Sequence, residues 1–169
     1  MKVRQATHAD ARRIAQIHVE TWRVAYLSQM PDTVLDALDT DERSVFWKTR
    51  LAKQPHGIFV VESGNTIIGF CDLVPSRDKD SNPNEVGEIA AIYVLPEFWR
   101  KGAGKALCHF SLQAARLQKY SSVTLWVLTS NEAARKFYEA MGLRLDGATK
   151  VEQGLNNYEF HEVRYRISI

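Results

Sequence analysis

The sequence is poor in cysteine and contains no long apolar run. Its 169 residues include two cysteines, Cys71 and Cys108, which are too few for a disulfide framework, and no Cys/His spacing suggests a metal site. The longest strongly apolar run, residues 89–95, is far too short to cross a bilayer. The first residues, MKVRQATHADARR, lack the apolar core of a signal peptide. We therefore expect a cytoplasmic protein that has no membrane partner.

An excess of charge of one sign is also missing. The 22 Lys and Arg residues nearly balance the 20 Asp and Glu residues, which leaves a formal net charge of +2. So small a charge gives no argument for binding nucleic acid or a membrane surface. With 45% hydrophobic and 25% charged residues, the composition is that of a globular protein, and the length predicts a single domain over residues 1–169.

Helical and strand patterns are mixed along the chain. A capping-box pattern at Thr7 and Asp10 opens the first helix. The helical patterns run from there through Ala25, from Pro31 to Leu38, and over about 41–52, 102–119 and 131–141. The strand patterns cover 3–6, 58–62, 66–74, 86–95, 123–128, 143–148 and 159–167. We predict a mobile loop at 76–84, a turn at 154–157, and an α/β or α+β class with one main sheet.

The most informative stretch is VLPEFWRKGAGKAL, residues 94–107. A strand pattern leads into a short basic loop with Gly102 and Gly104, and the loop leads into a helix. Backbone N–H groups converge at such a helix start, and the helix dipole adds partial positive charge. Arg100, Lys101 and Lys105 add full charges. The stretch therefore predicts a phosphate site, although the two glycines would also serve a plain strand-to-helix turn.

Two common phosphate loops do not fit this stretch. A Walker loop requires glycine where the chain has Trp99, and Ser or Thr where it has Ala106. A dinucleotide-binding loop requires a third glycine where the chain has Leu107. The pattern that remains is a pyrophosphate loop of the acetyl-CoA type, [Q/R]xxGx[G/A].

On these residues the chain resembles the GNAT (Gcn5-related N-acetyltransferase) family. Residues 99–104 are similar to the pyrophosphate loop of that family, with Trp99 in place of the usual Gln or Arg. A second block is similar to the NxxAxxFYxxxGF segment of the family, at Asn131, Ala134, Phe137, Tyr138 and Gly142, with Leu143 in place of Phe. The resemblance covers roughly residues 1–165. It implies the GNAT fold, a mixed, mostly antiparallel twisted sheet of six to seven strands with helices on both faces.

The resemblance also implies an activity. GNAT proteins move an acetyl group directly from the thioester of acetyl-CoA to an amine, so we expect acetyl-CoA as cofactor and a primary amine of a small molecule or peptide as acceptor. No acyl-enzyme is formed in this family, so the chemistry needs no cysteine. Family members are often dimers, which leaves a homodimer open. The alternative is a non-catalytic acyl-CoA-binding sensor or partner-binding module of the same fold.

The donor and the acceptor stay open in further ways. A longer acyl group is a second option for the donor. Fold and cofactor site do not fix the acceptor. Protein N-termini, lysine side chains, polyamines, aminoglycosides and amino acids all remain.

The resemblance also assigns residues to the cofactor. It implies that the loop residues Trp99, Arg100, Lys101, Gly102, Ala103, Gly104 and Lys105 bind the pyrophosphate. It implies that the backbone of Tyr93 and Val94, near a bulge in the strand, binds pantetheine and supplies an N–H to the thioester oxygen. Asn131, Ala134 and Phe137 complete the cofactor set, and Asn131 is in addition a good helix N-cap.

Two residues are candidates for proton transfer. Glu88 lies in an otherwise apolar strand, where a buried carboxylate needs a partner, a water molecule or a raised pKa. Its register matches the glutamate that some family members use as a general base; the alternatives are exposure to solvent or a pair with Lys or Arg. Tyr138 matches the tyrosine that serves as general acid, and the alternative is that Tyr138, like Phe137, is a core aromatic.

Three residues form a stripe along the first predicted helix. His18, Trp22 and Tyr26 are spaced at i, i+4 and i+8. The first two helices line the acceptor pocket in the family, so these side chains are candidates for contact with the amine substrate. The alternative is core packing, above all for Trp22, and Trp47 has the same status.

Overall fold

The computed structural model describes residues 1–27, 30–53, 56–154 and 158–169. Within them the α-helices are α1 (Ala11–Ala25), α2 (Asp32–Asp36), α3 (Thr40–Lys53), α4 (Ala103–Leu117) and α5 (Glu132–Ala140). The strands are β1 (Lys2–Gln5), β2 (Ile58–Ser63), β3 (Thr66–Pro75), β4 (Val86–Val94), β5 (Ser122–Leu128), β6 (Arg144–Gln153) and β7 (Glu159–Ser168). They confirm the predicted mixed α/β class.

The strands form one seven-stranded sheet in the order β1-β2-β3-β4-β5-β7-β6. The pairs β1–β2, β2–β3, β5–β7 and β6–β7 are antiparallel, and β4–β5 is parallel. The parallel ladder joins Val86–Glu88 to Ser122–Thr124, whereas β4 itself continues to Val94. Glu88 therefore lies at the last rung of this ladder.

The chain divides into two compact units. The first unit comprises Met1–Asp72 and Ala91–Phe110, and the second comprises Leu73–Ala90 and Ser111–Ile169. Each unit has buried side chains of its own. The expectation of a single domain stays a prediction.

The core of the first unit is built on α1. The carboxylate of Asp10 accepts hydrogen bonds from the backbone N–H (2.7 Å) and hydroxyl (3.0 Å) of Thr7, which confirms the predicted capping box at this helix start. Ile14 and Ile17 on the buried face of α1 pack with Trp47 of α3. Complete burial of each isoleucine side chain stabilises the fold by about 1.5–3 kcal/mol.

The second unit packs α5 with β5–β7. Asn131 caps α5, because its side-chain oxygen accepts a hydrogen bond from the N–H of Ala134 at 3.1 Å. Gly142 ends the helix with φ of 94°, a left-handed conformation that suits glycine, and the N–H of Leu143 returns to the carbonyl of Tyr138 at 3.0 Å. Both predicted ends of this helix are confirmed. They orient the helix that carries Tyr138.

The end of one strand differs from its sequence pattern. Strand β6 runs to Gln153, further than the predicted end at residue 148. The predicted turn at 154–157 falls largely on residues 155–157, which lie outside the described residues. Val45 and Phe46 of α3 are exposed, because Ser44, Trp47 and Leu51 form its buried face. Among the described residues, no helix is both long and apolar enough to cross a membrane.

Candidate active site

The loop before α4 has an unusual backbone. Arg100 adopts φ of 58° and Gly102 adopts φ of 91°, both in the left-handed region, and α4 begins directly afterwards at Ala103. Left-handed geometry is uncommon for a residue with a side chain, and strained backbone of this kind is concentrated at functional sites. Its occurrence at Arg100 therefore favours a functional role for this loop. The first N–H groups of an α-helix have no partner inside the helix. The loop therefore presents backbone donors at the positive end of a helix dipole.

The surroundings of this loop fit an anionic ligand. Nothing lies within 4 Å of the position that a Cβ on Gly102 would take, so the approach to the backbone is open. The side chains of Arg100, Lys101 and Lys105 are exposed. The Lys101 Nζ lies 5.6 Å from the centre of the Phe98 ring, a cation–π contact that orients one of these charges. The loop thus combines backbone donors, positive charge and space for a phosphate.

Trp99 stands where the loop pattern usually has Gln or Arg. Its indole Nε1–H donates a hydrogen bond of 2.6 Å to the carbonyl of Val94, although 41% of the side chain is exposed. The hydroxyl of Thr21 donates to the same carbonyl at 3.4 Å. Trp99 therefore ties the loop back to the end of β4. Its predicted contact with the cofactor stays a prediction, and the indole N–H already has a partner.

The end of β4 is held closely by β3. A Cβ on Gly69 would lie 2.8 Å from the carbonyl oxygen of Tyr93 and 3.0 Å from the side chain of Val94, so only glycine allows this approach. Val94 is buried, and Tyr93 packs partly buried against the core of the first unit. This agrees with the expectation that the side chains of 93 and 94 serve packing. The roles of their backbone atoms stay predictions.

His18 lies in a cluster of aromatic rings. Its ring stacks on Tyr93 at 5.0 Å between centroids, and the rings of Trp22, Trp47 and Phe70 lie within 6.0 Å. The side chain is 8% exposed, and Nδ1 has no hydrogen-bond partner among the described residues. Burial, with the positive charge of Arg43 as a second cause, lowers the pKa of His18 to about 3. His18 is therefore neutral near pH 7.

The stripe on α1 is packed differently from the expectation. His18 and Tyr26 are buried, whereas Trp22, for which core packing was the favoured alternative, is half-buried. The rings of Trp22 and Tyr26 meet edge to face at 5.2 Å. Trp47 is buried and packs edge to face on Phe70 at 4.9 Å. Contact of this stripe with an acceptor stays a prediction.

Glu88 has an arginine partner. The carboxyl is 2% exposed and accepts the backbone N–H of Arg77 at 3.0 Å and its Nε–H at 3.2 Å. An Nη–H of Arg77 also donates to the second carboxylate oxygen, so the guanidinium is bidentate. Of the alternatives drawn from the sequence, the structure describes the ion pair with arginine. The role of Glu88 as base stays a prediction.

The residues after Arg77 are anchored rather than free. Asp78 accepts the indole N–H of Trp126 at 3.0 Å and an N–H of Arg164 at 2.9 Å. Arg164 also holds Asp80 at 2.7 Å and Asp146 at 2.7 Å. The hydrogen bond from Arg164 is the main cause that lowers the pKa of Asp80 to about 2. These contacts are not those of the mobile loop expected at 76–84.

Tyr138 is more deeply buried than Phe137, for which a core position was expected. Tyr138 is buried, with its ring 5.4 Å from Phe137 and 6.2 Å from Tyr165, whereas Phe137 is only half-buried. The expectation that Phe137 is a core aromatic was therefore wrong. Helical geometry explains this, because the buried stripe of α5 passes through position 138. Tyr138 as acid, and Asn131, Ala134 and Phe137 as cofactor contacts, stay predictions.

Cys108 supports the expectation that the chemistry uses no cysteine. The thiol is buried in α4, and burial raises its pKa to about 11. A thiol with so high a pKa is a poor nucleophile near pH 7. Cys108 therefore acts as a small apolar core residue.

The predicted site residues fall into both units. The loop at residues 99–105, the end of β4 and the α1 stripe belong to the first unit. Glu88, Tyr138 and Asn131 belong to the second. Within the second unit, the structure brings Arg77 onto Glu88, a partner that the sequence patterns did not identify.

The sequence carries no signal for the charge network that holds Arg77. Arg164 lies between the apolar Val163 and Tyr165, so the alternation places it on the polar face of the strand, where no buried charge is expected. Asp78 and Asp80 in the polar segment are the complementary charges. The spacing of residues in the sequence does not show that Asp78 and Asp80 are the partners of Arg164.

Comparison with known proteins gives consistent matches. The family model described as the acetyltransferase (GNAT) family matches residues 11–143. YuaI of Bacillus subtilis, an uncharacterized N-acetyltransferase, is 34% identical over 139 residues, which cover 82% of this chain and 77% of that protein. An uncharacterized N-acetyltransferase of Archaeoglobus fulgidus is 29% identical, over 85% of this chain and 93% of that protein.

Solved structures share the fold. YncA from Salmonella typhimurium, solved with its cofactor acetyl-CoA, superposes with a TM-score of 0.74 at 20% identity, covering 99% of this chain and 93% of that one. The family model spans most of the sequence and contains both the 99–104 loop and the segment from Asn131 to Leu143. The chain is therefore an acetyltransferase of the GNAT family.

Proposed function

We propose that the protein transfers an acetyl group from acetyl-CoA to the primary amine of a small molecule or peptide. The observation that carries the proposal is the loop at residues 99–105, where left-handed backbone at Arg100 and Gly102 precedes the start of α4. Backbone donors, a helix dipole and three cations suit a pyrophosphate. The Salmonella typhimurium neighbour with acetyl-CoA, and a Thermoplasma acidophilum N-acetyltransferase solved with coenzyme A, support this donor.

The residues are assigned one by one. Acetyl-CoA supplies a thioester whose C–S bond breaks as the acceptor nitrogen forms the C–N bond. The loop residues bind the pyrophosphate, and the backbone N–H of Val94 donates to the oxygen on which charge develops. Glu88, directly or through a water molecule, takes the proton that the amine loses. Tyr138 gives its phenolic proton to the departing thiolate.

The donor site is tested by matched glycine variants. Gly102 and Gly147 both adopt φ of 91°, and at both the position that a Cβ would take has nothing within 4 Å. Gly102→Val and Gly147→Val therefore both place a side chain at a left-handed φ without a steric clash. We expect Gly102→Val to abolish acetyl-CoA binding in calorimetry, because the side chain occupies the approach to the loop. Gly147→Val should bind like the wild type. Tight binding by Gly102→Val would remove the loop from the donor site.

A further inference from the structure

The carboxylate of Glu88 is held from outside its own strand. Glu88 is almost completely buried in β4, while the guanidinium of Arg77 that pairs with it is 64% exposed. The backbone N–H of Arg77 donates to the same carboxylate. Glu88 therefore meets both a full positive charge and a fixed backbone dipole from one residue.

Arg77 is in turn fixed through its neighbour. Asp78 is bound by the indole N–H of Trp126 at 3.0 Å and by Arg164 at 2.9 Å. Arg164 is 5% exposed and also binds Asp80, two residues further along the segment. Its contact with Asp146 of β6 fixes the guanidinium itself. Because Arg77 and Asp78 are adjacent, this anchor determines where the charge of Arg77 lies.

We propose that Arg77 and Arg164 are positioning residues for acetyl transfer: Arg164 anchors the 76–84 segment, and the segment holds Arg77 on Glu88, which orients that buried carboxylate. The inference rests on the proposed function, since it gives Glu88 the role of base. A base must be unprotonated to accept the proton of the amine. Burial alone favours the neutral acid, and a bidentate arginine opposes this.

A charged group of β7 also acts on this pair. Glu162 interacts electrostatically with Arg77 and is itself paired with Lys150 of β6 at 3.2 Å. Burial raises the pKa of Glu162 above its usual value. An experiment must therefore observe Glu88 by itself and not total proton uptake.

The first test follows the titration of Glu88 directly. Protein labelled with ¹³C at the glutamate carboxyls is titrated by NMR, and Glu88→Gln identifies the resonance. We expect Arg77→Met to raise the midpoint of the Glu88 titration by about one to three pH units. Arg77→Lys, which restores a charge without the bidentate fork, should give an intermediate midpoint. The acidic limb of the pH–rate profile should move in the same order.

The second test concerns the anchor. Arg164→Met, and the milder Asp80→Asn if the first variant folds poorly, should raise the same midpoint by less than Arg77→Met does. The indole N–H resonance of Trp126, assigned by Trp126→Phe, should shift in both variants because its bond to Asp78 is disturbed. Arg50→Met is the matched control: it removes an arginine that is bidentate on the buried Asp72 of the first unit, and it should leave the Glu88 midpoint unchanged.

The outcomes separate this inference from the proposed function. A Glu88 midpoint that stays in place in Arg77→Met overturns the inference and leaves the base role standing. A midpoint that moves while the pH–rate profile does not move, with Glu88→Gln fully active, overturns the base role and with it the catalytic part of the inference. Equal shifts in Arg164→Met and Arg50→Met overturn the anchor and attribute its effect to lost stability.

Discussion

His18 in the first unit and Arg164 in the second unit are buried in opposite ways. In the first unit, His18 is surrounded by aromatic rings, and its Nδ1, like Trp47 Nε1, has no hydrogen-bond partner among the described residues. In the second unit, Arg164 is as deeply buried but binds three carboxylates. The imidazole of His18 is accommodated by staying neutral, and the guanidinium of Arg164 by the negative charges of its partners.

The difference matters for chemistry. A neutral imidazole packed among aromatic rings contributes shape and weak polarity. Its lowered pKa means that it stays neutral when the pH falls moderately. A charge network fixes positions, because removing one member leaves the others buried without compensation. The pair of Glu88 and Arg77 belongs to the second kind. Residues that position catalytic groups are therefore expected in this charge network.

The largest effect should come from breaking the charge network. Arg164→Met leaves the partly buried Asp78 without its cation and Asp146 with Arg166 alone. We therefore expect a loss of about 3–5 kcal/mol in the free energy of unfolding, measured with urea. Arg12→Met is the contrasting variant, because its pair with Asp41 is exposed on both sides and is worth less than about 1 kcal/mol. Equal losses would show that burial does not separate the two pairs.

The next effect is a dependence on pH in the aromatic cluster. The pKa of His18 is about 3 in the folded protein and about 6.5 when unfolded. Between these values the unfolded state binds one more proton, so this group lowers stability as pH falls, by about 1.4 kcal/mol per pH unit. His18→Phe should remove that slope from urea unfolding curves, and Trp47→Phe should retain it. A slope that His18→Phe retains would contradict the neutral histidine.

The smallest effect should appear in the same variant at neutral pH. His18→Phe replaces a neutral ring by an apolar ring in a cluster of rings, so the free energy of unfolding should change by less than about 1.5 kcal/mol at pH 7.5. A loss as large as that of Arg164→Met would mean that Nδ1 has a partner and that the contrast between the two regions fails.

Local signals predicted much of the fold. The capping box at Thr7 and Asp10, the N-cap at Asn131 and the glycine end at Gly142 each depend on neighbouring residues, and each was found where the pattern placed it. The loop at 99–104 could be identified for the same reason, since strand, turn and helix start are contiguous in the chain. Structural features that depend on neighbouring residues can therefore be predicted from the local sequence.

Contacts distant in sequence could not be predicted in this way. Arg164 reaches Asp78 across 86 positions, and no periodicity encodes such a pairing. The difference in burial between Phe137 and Tyr138 also depends on which face of α5 the sheet covers. Adjacent residues of a helix point in different directions, so one can be buried while the next is not. The motif determines which residues are present but not which side of the helix faces the sheet.

Release of free coenzyme A thiol from acetyl-CoA, measured over a panel of amines and peptide N-termini, tests the central claim most directly. The wild type should release thiol with at least one amine, and Tyr138→Phe should be slower by about 10²-fold or more with unchanged acetyl-CoA binding. Tyr165→Phe, which removes a buried phenol bonded to Glu139, is the control and should stay active. Equal rates in wild type and Tyr138→Phe would contradict the acid role. Tight acetyl-CoA binding without release for any amine would contradict the enzyme and favour a non-catalytic acyl-CoA-binding module.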